Sequence, residues 1–444
     1  MTRLWIKNPL AIDAKDAAGG LVVEGTQIAE LVPAGKTPQH DAVFDASDRV
    51  VIPGLINTHH HMYQTLTRAV PDAIDKELFD WLKTLYPVWA GLTPDMVSAS
   101  SELAMAELLL SGCTTTTDHH YVLPVGHEDA IDRQVEAAQR LGIRVVLTRG
   151  SMSLSVEDGG LPPASVVQDE DTIMADSERL IDRFHDADPK AMTQIALAPC
   201  SPFSVTKGLM QAAAEMAKKR GVLLHTHLAE TEDENGFCED VFGCRPLDYV
   251  EDCGWSETKS WYAHGIHFNP EEIQRLARAG AGVSSCSHSN MHLSSGICSA
   301  CELEQAGVAV GLGVDGSASN DASNMMQEVR AAWLIQRLKY GSGAVSWKDA
   351  LRWGTEGSAR LLGRESSLGT LAPGMSADLA LFRLDEPRFS GAGDPLAALI
   401  VCGAHKADAV MVNGQWRVRD GQLVGADIRA IMESHQKYAR NLQA

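Results

Sequence analysis

Two histidines separated by one residue follow an apolar segment early in the sequence. The run Val50–Ile52 and a Pro-Gly pair precede His59 and His61. In a β-strand, residues i and i+2 point to the same side, so these two imidazoles would lie next to each other. Neutral imidazole is a common zinc ligand. The pair therefore predicts half of a metal site, although three consecutive histidines are also compatible with a solvated turn.

Polar and titratable side chains follow the other short apolar segments in the same way. Such positions matter because catalytic residues of a parallel barrel lie where its strands end. If these histidines were only isolated residues of the core, we would not expect so many titratable groups at the ends of the predicted strands. The residues at the predicted strand ends are His59 and His61, Asp118, His119 and His120, Arg149, Cys200, His225, His227 and Glu230, His264, Ser287 and His288, and Asp315.

Four of these residues can form a metal site. His59, His61, His227 and Asp315 offer the nitrogen and oxygen ligands that zinc accepts, and a catalytic zinc keeps an open position for water. A two-metal site would normally need a bridging ligand such as a carboxylated lysine at the end of the fourth strand, and residues 196–201 contain no lysine. We therefore predict one divalent metal ion, Zn²⁺, with Fe²⁺ as the alternative that such ligands also accept.

Three residues are candidates for proton transfer. Glu230 follows His227 by three positions, which is close enough to act as general acid and base beside the metal ion without being a ligand. Asp315 is predicted both to bind the ion and to accept a proton from the attacking water, whose pKa a metal ion lowers. His264 is predicted to orient this nucleophile and to polarise the attacked centre.

The elements that must position these residues alternate regularly. From residue 50 onwards, an amphipathic helix, a glycine-containing turn and a short apolar strand recur. Counting residues 50–56 as the first strand and residues 222–224 as the fifth gives eight strands. Eight such units predict an α/β fold of the (β/α)8 TIM-like barrel type. The alternative, a doubly wound sheet, would need a glycine-rich phosphate-binding turn after its first strand, and the sequence has none there.

Short strands before and after the barrel predict a second, smaller unit. We expect residues 1–50 and 366–425 to form a small β-sandwich domain, residues 51–365 the hydrolase barrel, and residues 426–444 a C-terminal helix or tail. Within the second half of the small domain, Asn413-Gly414 between two apolar runs is a strong hairpin-turn signal.

Composition narrows the classes of partner. The 444 residues carry a formal net charge of −20, which argues against nucleic acid or an anionic membrane but not against a small heterocycle in a shielded pocket. Nine cysteines without a framework-like spacing indicate free thiols in a reducing compartment. No stretch has the length of a signal peptide core or a membrane span, so a cytoplasmic location is expected.

The motifs resemble the amidohydrolase superfamily, in its mononuclear deaminase branch. This resemblance covers essentially the whole chain and implies a barrel with a small β-sandwich, a zinc-type metal ion, the roles given above for the six site residues, and possible homo-oligomers. One departure is Ser287-His288, where relatives often carry Pro and Thr. The matching segments are PGLINTHHH (residues 53–61), HTHLAET (225–231), AHG (263–265), SNMHLSSG (289–296), GVDGSASND (313–321) and PGMSADLALF (373–382).

Within this branch, relatives hydrolyse aminated ring heterocycles. Residues 59–70, 85–93 and 114–124 are most similar to the 8-oxoguanine deaminase group, which implies conversion of 8-oxoguanine to urate and ammonia, with guanine or isocytosine as secondary substrates. The same region is similar to hydroxylated s-triazine aminohydrolases. Deaminases of S-adenosylhomocysteine or pterins are further alternatives. An inactive barrel scaffold is disfavoured because no ligand or acid–base residue is missing.

Four residues are candidates for binding the ring, and each has a structural alternative. Gln64 can donate and accept hydrogen bonds, or it can lie in a surface loop. Arg149 can bind a ring carbonyl, or it can pair with a carboxylate at the rim. Cys200 can face the ring, or it can pack in the core. Trp89 can stack on the ring, or it can belong to the core or to a dimer contact.

Overall fold

Eight parallel strands form a closed barrel in the computed structural model, which describes residues 2–124, 126–127 and 129–444. The first and last strands pair with each other between Asn57 and Leu312, which closes the barrel. The predicted barrel is therefore confirmed. Its strands are Leu55–Asn57, Cys113–His120, Arg144–Ser151, Thr193–Pro199, Leu224–Leu228, Ser260–His264, Gly282–Ser285 and Ala309–Leu312.

Helices surround the barrel, and several end where a glycine takes a left-handed conformation. Gly142 and Gly221 have φ values of 66° and 67°, which an L-residue rarely adopts, and each closes the helix before a strand. The helices are Leu78–Trp89, Pro94–Leu110, Ala130–Leu141, Glu170–Phe184, Lys207–Arg220, Glu232–Phe242, Pro246–Asp252, Pro270–Ala279, Ser287–His292, Ala300–Ala306, Met325–Tyr340, Trp347–Arg352, Ser358–Leu361, Pro395–Val401 and Ile428–Leu442.

The apolar run predicted as the first barrel strand is two strands in two different sheets. Arg49–Pro53 pairs antiparallel with Leu379–Arg383 outside the barrel, and only Leu55–Asn57 enters the barrel. The break falls at Gly54, where a Cβ atom would lie 2.2 Å from the Thr114 hydroxyl oxygen. The prediction of one strand over residues 50–56 was therefore wrong.

The fifth barrel strand also differs from its predicted range. It covers Leu224–Leu228 and not residues 222–224, so His225 and His227 lie within the strand and not after it. Alternation along the strand then places both imidazoles on the same side.

Two further sheets are built from residues on either side of the barrel in sequence. Their facing sides share a buried core that includes Ile6, Leu21, Val51, Leu379 and Met411. The strands of the first sheet are, in spatial order, Gln27–Val32, Gly20–Glu24, Arg3–Lys7 and Ala42–Asp45. Those of the second are Gln422–Leu423, Gln415–Arg419, Ala409–Val412, Leu379–Arg383, Arg49–Pro53 and Ala11–Ile12.

A short 3₁₀ helix, Met62–Thr67, follows the metal-site histidines and is buried along its whole length. The helix Ile428–Leu442 packs against it. His435 Nε2 lies 3.0 Å from Thr65 Oγ1, and the Gln443 amide donates to the Leu66 carbonyl oxygen. No helix within the described ranges combines the length and apolarity needed to cross a membrane.

Candidate active site

Three histidines and one aspartate meet at the carboxyl ends of the barrel strands. His61 Nε2 lies 3.1 Å from His227 Nε2 and 3.2 Å from Asp315 Oδ1. His59 Nε2 lies 3.3 Å from the same aspartate oxygen. All four side chains are buried. The structure thus brings together the four residues predicted as metal ligands.

The second ring nitrogen of each histidine has a fixed partner. His61 Nδ1 lies 2.7 Å from the His119 carbonyl oxygen, and His227 Nδ1 lies 2.7 Å from the Cys200 carbonyl oxygen. Because a carbonyl only accepts, each Nδ1 must carry the proton, and each neutral ring then presents an Nε2 lone pair. Two lone pairs 3.1 Å apart repel each other unless a cation lies between the donors. The donor set therefore fits a divalent metal ion.

His59 is held by a longer chain of contacts. Its Nδ1 lies 2.8 Å from His225 Nε2, and His225 Nδ1 lies 2.9 Å from the Trp261 carbonyl oxygen. Partners of this kind orient metal ligands and fix their tautomers. His225, which the sequence placed at the end of a predicted strand, thus orients the predicted ligand His59 and is not part of the cavity lining.

Burial sets the protonation of the metal-binding groups. It lowers the pKa of His59 and of His227 well below the usual value, so both rings are neutral near pH 7. Burial also acts to raise the pKa of Asp315, but the contacts with His59 and His61 outweigh it and hold that pKa well below its usual range. Neutral imidazoles and an ionised carboxylate are the forms that bind a cation.

Glu230 lies beside this group without belonging to it. Burial raises the pKa of its carboxyl well above the usual value, and the Asp315 charge adds to the effect. One Glu230 oxygen, Oε2, lies 3.5 Å from His264 Nε2. A buried carboxyl with a raised pKa has the property that general acid catalysis requires.

His264 and Asp315 both have left-handed backbone conformations. Their φ values are 71° and 61°, which costs energy for residues with a side chain and is found at functional sites. His264 Nδ1 lies 2.9 Å from Asn290 Oδ1, so the asparagine orients the ring. Asn290 lies inside the SNMHLSSG segment, but its type and position alone did not indicate this contact.

A narrow cavity opens in front of these residues and contains about 380 Å³ free of protein atoms. Gln64 and Cys200, two of the predicted ring-binding residues, line it. Both amide atoms of Gln64 are buried and have no hydrogen-bond partner among the described residues. The lining residues are His61, Gln64, Leu78, Trp81, Leu82, Tyr86, Tyr121, Cys200, Phe203, His227, Glu230, His264, Leu293, Asp315 and Ser319.

The structure does not place Arg149 in this lining. Its guanidinium is buried and pairs with the carboxylate of Asp176 on the next helix, while Nη2 donates to Gln168 Oε1 at 2.8 Å. The alternative considered for Arg149, an ion pair with a carboxylate, is the contact observed.

Trp89 also lies outside the lining. It is fully buried, its indole nitrogen donates to Thr67 Oγ1 at 3.1 Å, and its ring packs 5.3 Å from Tyr63 and 5.4 Å from Trp81. The alternative core role is thus the one that the contacts support.

His119, one of the residues predicted at a strand end, stacks on the His227 ring at 4.7 Å, and its ligand-capable nitrogen lies within 4.8 Å of those of His59, His61 and His227.

One wall of the cavity consists of residues that were not predicted from the sequence. The helix Leu78–Trp89, here called the cavity helix, contributes Leu78, Trp81, Leu82 and Tyr86 to the lining. The Tyr86 hydroxyl is buried and, within the described ranges, has no partner. The spacing i, i+4, i+8 of Leu78, Leu82 and Tyr86 is a helical signal that could have indicated a common face.

A model of the amidohydrolase family matches residues 50–417. The chain belongs to the amidohydrolase family. Among curated relatives, this amidohydrolase is 58% identical over 449 residues to the 8-oxoguanine deaminase of Pseudomonas aeruginosa, with all of both chains covered. It is 38% identical over 383 residues to hydroxydechloroatrazine ethylaminohydrolase of a Pseudomonas species, covering 84% of this chain and 79% of the relative.

A solved structure gives the same picture of the fold. The atrazine chlorohydrolase TrzN of Arthrobacter aurescens TC1, complexed with zinc, superposes with a TM-score of 0.92 at 31% identity. The match covers 99% of this amidohydrolase and 100% of that chain. Together with the buried histidine cluster, the family supports a divalent metal site at the end of the barrel.

Proposed function

We propose that this amidohydrolase is a metal-dependent hydrolytic deaminase that converts 8-oxoguanine to urate and ammonia. The observation that carries the proposed reaction is the position of Glu230, whose buried carboxyl lines the cavity beside His61, His227 and Asp315. The substrate is inferred from the relative of 58% identity, whose name states that activity.

We assign one divalent ion, zinc, to His59, His61, His227 and Asp315. A metal ion bound there supplies a water of lowered pKa as the nucleophile. The remaining work falls to the protein side chains. Asp315 Oδ2 lies 3.9 Å from His264 Nε2. We assign to this carboxylate oxygen the role of taking the proton of the attacking water.

Glu230 performs the complementary proton transfers. Its protonated carboxyl donates to a ring nitrogen of the amidine group while water adds to the carbon that bears the amino group. The amino group then takes the proton that Asp315 accepted and leaves as ammonia, while the hydroxyl proton of the added oxygen returns to Glu230 as the ring carbonyl forms. His264, fixed by Asn290, holds the adding oxygen in line with the attacked carbon.

Other residues of the cavity supply the groups that bind the ring. The Gln64 amide can both donate and accept, and the Tyr86 hydroxyl can do the same. An 8-oxopurine carries carbonyl oxygens and N–H groups along its edges, so it can satisfy these buried atoms. Leaving them unpaired costs about 1–3 kcal/mol for each group, which disfavours ligands without such edges. Cys200, which lines the cavity below His227, is assigned to the same contact surface.

Ammonia release from a panel of heterocycles tests the proposal. Zinc-loaded protein is incubated with 8-oxoguanine, guanine, isocytosine, isoxanthopterin, S-adenosylhomocysteine and hydroxyatrazine. We expect 8-oxoguanine to give the highest kcat/KM, with urate as the second product. No ammonia from any oxopurine would contradict the purine assignment.

A hydroxylated s-triazine is the second candidate substrate, because one relative at 38% identity is an ethylaminohydrolase of a dechlorinated atrazine derivative. Release of amine from the triazine alone would move the assignment to that class. We further propose a cytoplasmic enzyme without nucleic-acid or membrane partners, in keeping with nine free cysteines and a net charge of −20. A homo-oligomer is compatible with this proposal.

A further inference from the structure

A buried carboxyl that takes no part in the reaction lies directly behind Glu230. Glu234 is fully buried, and its Oε2 accepts the backbone N–H of Glu230 at 2.8 Å. Glutamate is rarely buried without a partner, so the burial of Glu234 and its bond to the Glu230 N–H require an explanation. Without it, the Glu230 N–H would be a buried donor lacking its acceptor, which costs about 1–3 kcal/mol.

The backbone between His227 and Glu230 makes an unfavourable turn. Ala229 has a φ of 54°, which is rare for a residue with a side chain. The Ala229 carbonyl accepts the N–H groups of Ile266 and His267, at 2.8 Å and 2.9 Å. The turn is therefore held on one side by the residues that follow His264.

Glu234 holds the same turn from the other side. It lies in the first turn of the helix Glu232–Phe242, whose N-cap residue Thr231 accepts the Glu234 N–H at 3.4 Å. The side chain reaches back past the N-cap to residue 230, so the helix start and the Glu230 backbone form one unit. Burial raises the pKa of Glu234 to about 8, so the carboxyl is mainly neutral near pH 7.

We propose that Glu234 is a positioning residue that directs the Glu230 carboxyl into the cavity by fixing its backbone. This inference rests on the proposed role of Glu230 as the general acid. In this role, Glu234 contacts neither the ring nor the metal ligands. Its removal should therefore affect the chemical step and not substrate or metal binding.

Three variants of the full-length, zinc-loaded protein test this role. Glu234→Gln keeps an acceptor oxygen in a neutral group of the same shape, whereas Glu234→Ala removes the acceptor. Asp233→Asn changes an exposed carboxylate in the same helical turn and is the matched control. For each variant, kcat, KM, bound zinc and the melting temperature are measured.

We expect Glu234→Ala to lower kcat about 10- to 100-fold, with KM and bound zinc unchanged, because general acid catalysis depends on the placement of the acid. Glu234→Gln should restore kcat to within about fivefold of the wild type, and Asp233→Asn should match the wild type. If Glu234→Ala leaves kcat unchanged, or if KM rises while zinc content and melting temperature fall in both variants, the positioning role is refuted.

Hydrogen exchange separates this inference from the proposed function. The amide of residue 230 should exchange faster in Glu234→Ala than in the wild type, and Glu234→Gln should protect it. Absence of ammonia release from the wild type would contradict the proposed function, while the exchange rates would still report whether Glu234 fixes the turn. Equal exchange in all variants would overturn the inference.

Discussion

The two walls of the cavity differ in how completely the protein satisfies its own polar groups. On the metal wall, formed by His59, His61, His227 and Asp315, the second nitrogen of every imidazole has a fixed partner. On the ring wall, formed by Gln64, Trp81 and Tyr86, the Gln64 amide and the Tyr86 hydroxyl have no partner in the described part of the chain.

This difference indicates what determines each wall. Backbone carbonyls position His61 and His227, and His59 is positioned by His225, which the Trp261 carbonyl holds in turn. The geometry of the metal wall therefore follows from the fold. The ring wall retains buried donors and acceptors that no described residue pairs with, so a ligand with complementary edges can bind to them. Substitutions on the metal wall should therefore abolish activity, and those on the ring wall should change which substrate is preferred.

The largest effect is expected from the metal wall. Replacing His227 with Asn removes one imidazole ligand and should abolish stoichiometric zinc binding. We expect kcat/KM to fall about ten-thousandfold, since the water would lose its activation. Zinc is measured by atomic emission and activity by ammonia release. His405→Asn, which changes a half-exposed histidine remote from the cavity, serves as control. Retention of zinc and activity by His227→Asn would contradict the ligand assignment.

Glu230→Gln should separate proton transfer from metal binding. We expect kcat to fall about a thousandfold while the zinc content stays at the wild-type level. In the wild type, activity should decline as pH rises through the raised pKa of Glu230, because the ionised carboxyl cannot donate a proton. That decline should be absent from the pH profile of the residual activity of the variant. An unchanged profile would argue against Glu230 as the acid.

On the ring wall, Gln64→Leu keeps the volume but removes the donor and the acceptor. We expect kcat/KM for 8-oxoguanine to fall about 10- to 100-fold, corresponding to one or two lost hydrogen bonds, with bound zinc unchanged. Steady-state kinetics on 8-oxoguanine and hydroxyatrazine measure the shift in preference. Gln436→Leu, on an exposed helical surface, is the matched control. Equal loss on both substrates would indicate general damage and not ring recognition.

Two aromatic residues of the cavity helix provide the smallest and most specific test. Tyr86→Phe should lower kcat/KM about tenfold and leave the melting temperature unchanged, since only the unpaired hydroxyl is lost. Trp89→Phe should leave kcat/KM within about twofold but lower the melting temperature by several degrees, because packing and the bond to Thr67 are lost. The reverse pattern would place Trp89, and not Tyr86, at the substrate.

The residues of the metal wall could be predicted because strand order alone brings them together. In a parallel barrel, the carboxyl ends of all strands lie on one face, so a histidine or aspartate just after a strand is placed without knowledge of the packing. His59, His61 and Asp315 follow strands in this way, and His227 lies near the carboxyl end of its own strand, on the same face of the barrel. The barrel was predicted correctly from the regular alternation of strands and helices, and the family from the resemblance of whole sequence segments.

The ring wall could not be placed so well, because it depends on distances along helices and on long side chains. Trp89 lies on the same face of the cavity helix as Leu82 but about 10 Å further along its axis, beyond the cavity. Arg149 lies near the carboxyl end of the strand Arg144–Ser151, yet its side chain reaches Asp176 on the adjacent helix. Nothing in the sequence near Arg149 indicates that partner.

The first strand shows a different limit. Arg49–Pro53 and Leu55–Asn57 are both buried throughout, so no change of hydrophobicity marks the boundary between them. What separates them is the pairing of Arg49–Pro53 with Leu379–Arg383, more than 300 residues away in sequence. Pairing over such a separation has no local signature.

The contact of the helix Ile428–Leu442 with the 3₁₀ helix Met62–Thr67 has a consequence for the order of folding. The bond between His435 and Thr65 joins residues 370 positions apart, and closing so long a loop is slow. During synthesis, the histidine pair leaves the ribosome long before the helix that supports the neighbouring Gln64 segment exists. The nascent chain therefore contains the histidine pair of the predicted metal site well before the segment around Gln64, which is proposed to select the substrate, has the support of that helix.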